Sequence, residues 1–149
     1  MKLTCNCKKY YEIFSNKHRD KHLFDSWTFI HINDSFIIFN LLHVFYNKNI
    51  SFYITIIIGI LWEIIENNGF GKYFFGKLDY DNYECDTIIN SIGDIIADIF
   101  GSYLGYFISK LKKFKSLIIL IIIIILDLIP YYLSGESNYN IIIKFIKKI

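Results

Sequence analysis

Four long apolar segments, separated by charged stretches, constrain this chain more than any other feature of its sequence. The fourth is the most extreme, because Leu117–Leu126 contains no polar side chain. Such segments are too long for β-strands, which usually have about 3–10 residues, and they approach the roughly 20 apolar residues that span a bilayer. The sequence therefore predicts an all-α polytopic membrane protein with about four transmembrane helices in a bundle. The predicted helices lie near 24–46, 51–67, 86–110 and 116–133.

The composition agrees with this fold class. Hydrophobic residues make up 54% of the 149 residues and charged residues only 20%, which excludes a disordered chain because its apolar surface would be left in water. Three of the segments are also compatible with core helices of a soluble bundle. However, no segment has the broad charged face that a soluble amphipathic helix needs, so we favour the membrane interpretation.

The charged residues exclude one class of partner and predict a topology. The net charge is +2 and Arg19 is the only arginine, which argues against nucleic acid as a partner because a nucleic-acid-binding protein needs a dense basic face. A cytoplasmic N-terminus would place eleven of the 16 basic residues on the inner side, as the positive-inside rule favours. We therefore expect a multi-pass protein whose partner is the lipid bilayer. Its predicted parts are a polar basic N-terminal segment (1–25), a membrane helical domain (26–134) and a short basic C-terminal tail (135–149).

The third segment carries two stripes of residues at helical spacing. The polar stripe consists of Asp86, Asn90, Asp94 and Asp98. The small-residue stripe consists of Gly93, Ala97, Gly101 and Gly105. Residues four apart lie on one face of a helix, and small residues at this spacing let two membrane helices approach closely. We therefore expect the third helix to be central and the most buried, packed tightly on one side and polar on the next.

Antiparallel threading brings polar residues of three helices to one face of the bundle. The first helix starts on that face, the second returns and ends there, and the third starts there again. A carboxyl group at a membrane-embedded helix end costs about 2 kcal/mol or more without a partner, so we expect these side chains to share one pocket. The predicted catalytic set in the pocket is His31, Glu63, Glu66, Asp86 and Asn90. The predicted binding set at its rim is His22, Asp25, Asn67 and Asp94.

Four or more carboxyl groups in a partly apolar pocket cannot all stay ionised without partners. Two physical solutions are open: some carboxyl groups are protonated at neutral pH, or a cation lies among them. Oxygen ligands with one imidazole suit Mg²⁺, Mn²⁺ or Zn²⁺, so a divalent metal is the cofactor that these residue types suggest. The candidate ligands are His31, Glu63, Glu66 and Asp86. The alternative is that the same side chains only hydrogen-bond the helices together.

Three motifs of this sequence resemble an uncharacterised family of bacterial integral membrane proteins. The motifs are His22–His31, Trp62–Asn67 and Asp86–Asp94, and the resemblance covers roughly residues 18–108. The family is known only as a domain of unknown function and is related to the broader VanZ-like proteins. The resemblance implies a small multi-helix membrane protein with His, Glu, Asp and Asn side chains at one face, and it implies no known reaction. The chain departs from the family pattern at Cys85, where relatives usually carry glycine.

These features lead to one predicted function and two alternatives. We predict a metal-dependent enzyme, embedded in the membrane, that acts on a lipid or lipid-linked head group, with the carboxyl groups and His31 as metal ligands or acid–base groups. The first alternative is a non-catalytic scaffold or binding protein in which these residues join the helices. The second, a proton or ion pathway, needs polar residues that continue to the far face, and only Asp94 and Asp98 lie deeper.

Overall fold

The computed structural model describes residues 22–68, 86–111 and 115–134. Within these ranges it contains helices and no strand, which confirms the all-α prediction for this part of the chain. The four helices are α1 (Thr28–Phe45), α2 (Lys48–Glu66), α3 (Ile88–Ile108) and α4 (Lys115–Ser134). Each helix end lies within four residues of its predicted position. Most of the N-terminal segment (1–21) and the whole C-terminal tail (135–149) lie outside the described residues.

Local hydrogen bonds fix the starting points of the first three helices. Before α1, the Asp25 carboxylate accepts a hydrogen bond from the Trp27 amide at 2.7 Å, and the Thr28 hydroxyl accepts one from the Asp25 amide at 2.9 Å. The Asn47 side chain caps α2 by accepting from two backbone N–H groups of the first turn, and the Thr87 hydroxyl accepts from one at the start of α3. These side chains satisfy N–H groups that have no partner inside a helix.

The small-residue stripe of α3 packs directly against α1 and the residues that precede it. A Cβ atom on Gly93 would collide with the carbonyl group of Leu23, and one on Gly101 would collide with that of Ile32. Glycine is therefore required for this close approach. α3 also buries ten residues, more than α1 or α2. The predicted tight packing of the stripe is confirmed, and among α1–α3 the third helix is the most buried, as expected.

The interior of the helical core is polar and its surface is apolar. Among the described residues, sixteen polar or charged side chains are buried, compared with five hydrophobic ones. Large apolar side chains are exposed on all four helices, for example Val44, Ile57, Phe100 and Ile124. Soluble proteins rarely bury carboxyl groups and usually bury aliphatic side chains. A surface with this much exposed apolar area indicates contact with a membrane or another partner.

Two of the helices are long and apolar enough to cross a membrane. Their most apolar windows have a mean hydropathy of 1.3 for α1 and 1.6 for α2. A core helix of a soluble protein, or a signal sequence near the N-terminus, meets the same criteria of length and composition. The part of the chain that the structure describes therefore contains two candidate spans. The four-span bundle and its orientation stay predictions.

Candidate functional site

The ends of three helices meet around the imidazole of His31. His31 lies in the first turn of α1, Glu63 in the last turn of α2, and Asp94 in the first half of α3. Nδ1 of His31 is 3.9 Å from Oε1 of Glu63, and Nε2 of His31 is 3.9 Å from Oδ2 of Asp94. Nδ1 also lies 3.6 Å from Oδ1 of Asp98. The three helices thus form one polar cluster, in the place where antiparallel threading predicts it.

Two groups of side chains in this cluster bring their potential ligand atoms close enough to share a metal ion. His31, Glu63 and Glu66 form the first group, in which the ligand atoms lie within 4.8 Å of one another. Glu63, Asp86 and Asp94 form the second group, whose ligand atoms also lie within 4.8 Å of one another. The four predicted ligands are therefore divided between two overlapping groups, and Glu63 belongs to both. Their roles as ligands stay predictions.

Several carboxylate oxygens of the cluster are buried and have no hydrogen-bond partner. They are Oε1 of Glu63, Oδ1 of Asp94 and Oδ2 of Asp98. The three residues are only 4%, 3% and 4% exposed. Buried polar atoms nearly always have a partner, and an unpaired buried carboxylate is costly. These oxygens therefore need either a proton or a cation.

Two lysines of the described ranges lie at the end of the helices opposite the cluster. Lys48 begins α2 and Lys110 follows α3, and both ammonium groups lie over the ring of Tyr106, at 5.1 and 5.2 Å from its centroid. Within the described residues, neither lysine forms an ion pair with Glu63 or Asp94. The imidazole of His31 is the basic group that lies within 4 Å of the Glu63 and Asp94 carboxyl groups.

Asn67 joins the end of α2 to the start of α3. Its side-chain amide donates to the Glu63 backbone carbonyl at 3.0 Å, and it lies 3.4 Å from Oε2 of Glu63. The same amide lies 2.9 Å from Oδ2 of Asp86 and 3.2 Å from the hydroxyl of Ser91, and the Asn67 side-chain oxygen accepts from the Asp86 backbone N–H at 2.8 Å. Asn67, predicted at the rim, therefore holds Glu63 and Asp86 next to each other.

Asp86 lies just before α3 and is 3% exposed. Burial raises the pKa of its carboxyl group from 3.8 to about 7, and the nearby charge of Glu66 acts in the same direction. The hydrogen bond from Asn67 and the charge of His31 oppose this increase, while Asp25 adds to it. Asp86 is consequently able to exchange a proton, or to exchange a proton for a metal ion, near neutral pH.

Asn90 faces the residues that precede α1. Its side-chain amide donates to the backbone carbonyl of His22 at 2.8 Å and lies 3.4 Å from Oδ2 of Asp25. These three residues are thus brought together, but none of them belongs to either group of potential metal ligands. The sequence predicts Asn90 in the catalytic set and the other two residues at the rim, whereas in the structure Asn90 contacts those two residues.

Three residues of the site were missing from the predicted sets. Oδ1 of Asp98 accepts a hydrogen bond from the Ser35 hydroxyl at 2.6 Å while it faces His31. A Cβ atom on Gly59 would collide with the Asp98 carboxyl group, so Gly59 provides the space for it. The sequence could have predicted Asp98, because it belongs to the polar stripe of α3. Ser35 follows His31 at the four-residue spacing of one helix face, whereas Gly59 has no such signal.

The described residues define a class of protein. It is a helical protein with an apolar surface and a buried histidine–carboxylate cluster between three helices. The model of one protein family, described as "Protein of unknown function (DUF2585)", matches residues 1–146. The chain belongs to this family. No solved structure matches the chain. The family match does not test the relationship to VanZ-like proteins or the bacterial origin that the resemblance implied.

Proposed function

We propose that this protein is an integral membrane protein that binds a divalent cation in the cluster and acts on a lipid or lipid-linked head group. The proposed ligands are His31, Glu63, Glu66 and Asp86. The observation that carries the proposal is the set of buried carboxylate oxygens without a hydrogen-bond partner, above all Oε1 of Glu63. A divalent cation binds several such oxygens at once.

The distances in the cluster support metal binding. Ligand bonds of about 2.0–2.6 Å separate two ligand atoms of one ion by at most about 5 Å, and the ligand atoms of each group lie within 4.8 Å of one another. A metal-binding histidine usually donates its other ring N–H to a carboxylate. Asp98, which lies 3.6 Å from Nδ1 of His31 and is held by Ser35, suits that supporting role.

The distribution of side chains supports a membrane location. The buried residues are mainly polar, and the exposed faces of the helices are rich in Ile, Phe and Leu. At the end opposite the cluster, Lys48 and Lys110 lie beside Tyr106, and lysine and tyrosine are suited to the boundary between membrane and water. If the N-terminus is cytoplasmic, the cluster faces the cytoplasm, because α1 begins beside it.

An apolar groove near the cluster supports a lipid as the substrate. The groove has a volume of about 400 Å³ and runs along α1 and α3. Its apolar lining includes Phe24, Phe29, Ile96 and Phe100, and Asp25 also borders it. An acyl chain suits such a surface. A lipid with its chain in this groove would have its polar head group beside Asp25, whose carboxyl group lies 3.4 Å from the Asn90 amide.

The charge of the cluster connects the cation to the head group. Buried carboxylates repel an anionic head group, whereas a bound divalent cation attracts it and polarises its oxygen atoms. A divalent cation held by these ligands would supply Lewis-acid chemistry at the head group, and a neighbouring carboxylate of the cluster would accept the proton of an attacking water. Hydrolysis or transfer at the head group is therefore the class of reaction that we propose.

A non-catalytic scaffold is the second candidate, and specific hydrogen bonds favour it. Ser35 bonds α1 to Asp98 of α3, and Asn67 bonds the end of α2 to Asp86. Interhelical bonds of this kind stabilise membrane bundles. However, they leave Oε1 of Glu63 without a hydrogen-bond partner, and a scaffold of hydrogen bonds does not account for that buried oxygen.

The metal content of the full chain, purified in detergent without a chelator, tests the cation. We expect at least one divalent ion per chain in the unchanged protein, and loss of that ion in Glu63→Gln. Asp34→Asn is the matched control, because Asp34 is an exposed carboxylate on α1 outside both ligand groups. The scaffold would be favoured by two results together: the unsubstituted protein contains no metal, and Glu63→Gln has the same melting temperature as that protein.

The head-group reaction needs a separate assay. The metal-loaded protein is mixed with a panel of phospholipids in detergent micelles, and the products are measured by mass spectrometry. We expect a change in a head group that requires the metal and is absent in Glu63→Gln. If the protein binds metal but alters none of these lipids, the enzymatic part of the proposal is wrong and metal binding remains.

A further inference from the structure

Glu63 is shared by two groups of potential ligands, which is more than a single metal ion requires. The first group adds His31 and Glu66, and the second adds Asp86 and Asp94. We propose that the cluster binds two divalent cations, bridged by the Glu63 carboxylate, and that this pair recognises a phosphate-bearing head group. The inference rests on the proposed function, in which the cluster binds at least one cation.

The two oxygens of Glu63 face different neighbours. Oε1 lies on the side of the imidazole ring of His31, which belongs to the first group. Oε2 lies 3.4 Å from the amide of Asn67, which also lies 2.9 Å from Oδ2 of Asp86, on the side of the second group. A bridging carboxylate binds one ion with each oxygen, and paired ions in proteins are about 3.5–4 Å apart. The orientation of Glu63 suits such a bridge.

Each of the two groups contains a residue with an unpartnered buried carboxylate oxygen. Oε1 of Glu63 and Oδ1 of Asp94 are buried without a hydrogen-bond partner, and their residues are only 4% and 3% exposed. These atoms belong to side chains of different helices, so a local distortion of one helix does not account for both of them. Each of them is a potential metal-ligand atom in the interior.

Two adjacent cations define the class of ligand more narrowly than one cation does. A phosphate group can place one oxygen on each ion, and paired metal sites of this kind are common in proteins that act on phosphate esters. The apolar groove bordered by Asp25 adds a place for an acyl chain. Together they select a phospholipid or another lipid phosphate over an uncharged lipid.

Manganese provides the test, because two coupled Mn²⁺ ions have a different electron paramagnetic resonance spectrum from isolated ones. The full chain in detergent is dialysed against MnCl₂, and bound manganese is counted by mass spectrometry. We expect two ions per chain with an exchange-coupled spectrum. We also expect about one ion and an uncoupled spectrum in Asp86→Asn and in Asp94→Asn, and two coupled ions in the control Asp34→Asn.

The outcomes separate this inference from the proposed function. One bound ion in the unchanged protein, or two ions without coupling, overturns the bridged pair and leaves the single-cation function in place. No bound manganese and no other bound divalent ion overturns both. Because the decisive count is made on the unchanged protein, a variant that fails to fold does not prevent a conclusion. Phosphatidic acid should broaden the coupled spectrum, and an unchanged spectrum would contradict recognition of a phosphate-bearing head group.

Discussion

Replacing Asp86 with asparagine should remove a specific part of the pH dependence of stability in the metal-free protein. In the folded protein the pKa of Asp86 is raised from 3.8 to about 7, whereas in the unfolded chain it returns to 3.8. Between these values the folded state binds one more proton than the unfolded state. The contribution of Asp86 to stability is therefore fully present below about pH 4 and is lost as the pH rises through about 7.

The size of this effect follows from the same two values. A difference of about 3 pKa units, at about 1.4 kcal/mol for each unit, gives an upper limit of about 4 kcal/mol between pH 4 and pH 8. Asp86→Asn is a suitable replacement, because asparagine has the shape of the protonated acid and keeps an oxygen to accept the bond from Asn67. The variant should therefore resemble the unchanged protein at pH 4 and be more stable at pH 8.

The assay is thermal unfolding of both proteins in detergent with EDTA, at intervals from pH 4 to pH 8. The melting temperature of the unchanged protein should fall more steeply with increasing pH than that of Asp86→Asn. Other carboxyl groups affect both proteins, so the difference between the two curves isolates Asp86. Parallel curves would refute the argument that burial and the neighbouring Glu66 raise the pKa of Asp86.

Three further substitutions test other contacts of the site. Gly59→Ala should weaken metal binding by about 10–100-fold, because the added Cβ displaces Asp98 from His31. Isothermal titration with Mn²⁺ measures the affinity, and an unchanged affinity would contradict a supporting role for Asp98. His31→Asn should abolish the stabilisation of the protein by added metal. The control His43→Asn should retain it, because His43 lies at the far end of α1. An equal increase of melting temperature with metal in the two variants would exclude His31 as a ligand. Gly101→Ala should lower the free energy of unfolding by about 1–3 kcal/mol, because its Cβ collides with the backbone of α1; a melting temperature as high as that of the unchanged protein would exclude this close packing.

The lengths and order of the helices could be predicted from the sequence, and so could the location of the cluster. Apolar segments set the helix bounds, and three antiparallel helices bring the end of α2 to the starts of α1 and α3 whatever their rotation. The meeting of His31 and Glu63 follows from that threading. The threading does not determine the neighbours of each member of the polar stripe, because these depend on how each helix is rotated about its axis.

The polar stripe of α3 shows this limit. Residues four apart turn by about 40° at each step around a helix with 3.6 residues per turn, so Asn90, Asp94 and Asp98 face different directions. Asp86, which was predicted inside the helix, lies before its first residue. Asp86 faces Asn67, Asn90 faces His22, and Asp98 faces Ser35. The sequence predicted the stripe as a single face and could not divide it. The space that Gly59 provides for Asp98 depends on the packing of α2 against α3, which no pattern in α2 reveals.

The most direct measurement of metal binding by Glu63 is an anomalous-difference map from crystals of the full chain grown with Mn²⁺. Binding as proposed predicts anomalous peaks between α1, α2 and α3, each about 2.0–2.6 Å from an oxygen of Glu63. Two peaks about 3.5–4 Å apart would indicate the bridged pair. A map without a peak in this cluster, with the Glu63 and Asp94 carboxyl groups hydrogen-bonded to each other through a shared proton, would contradict a metal site.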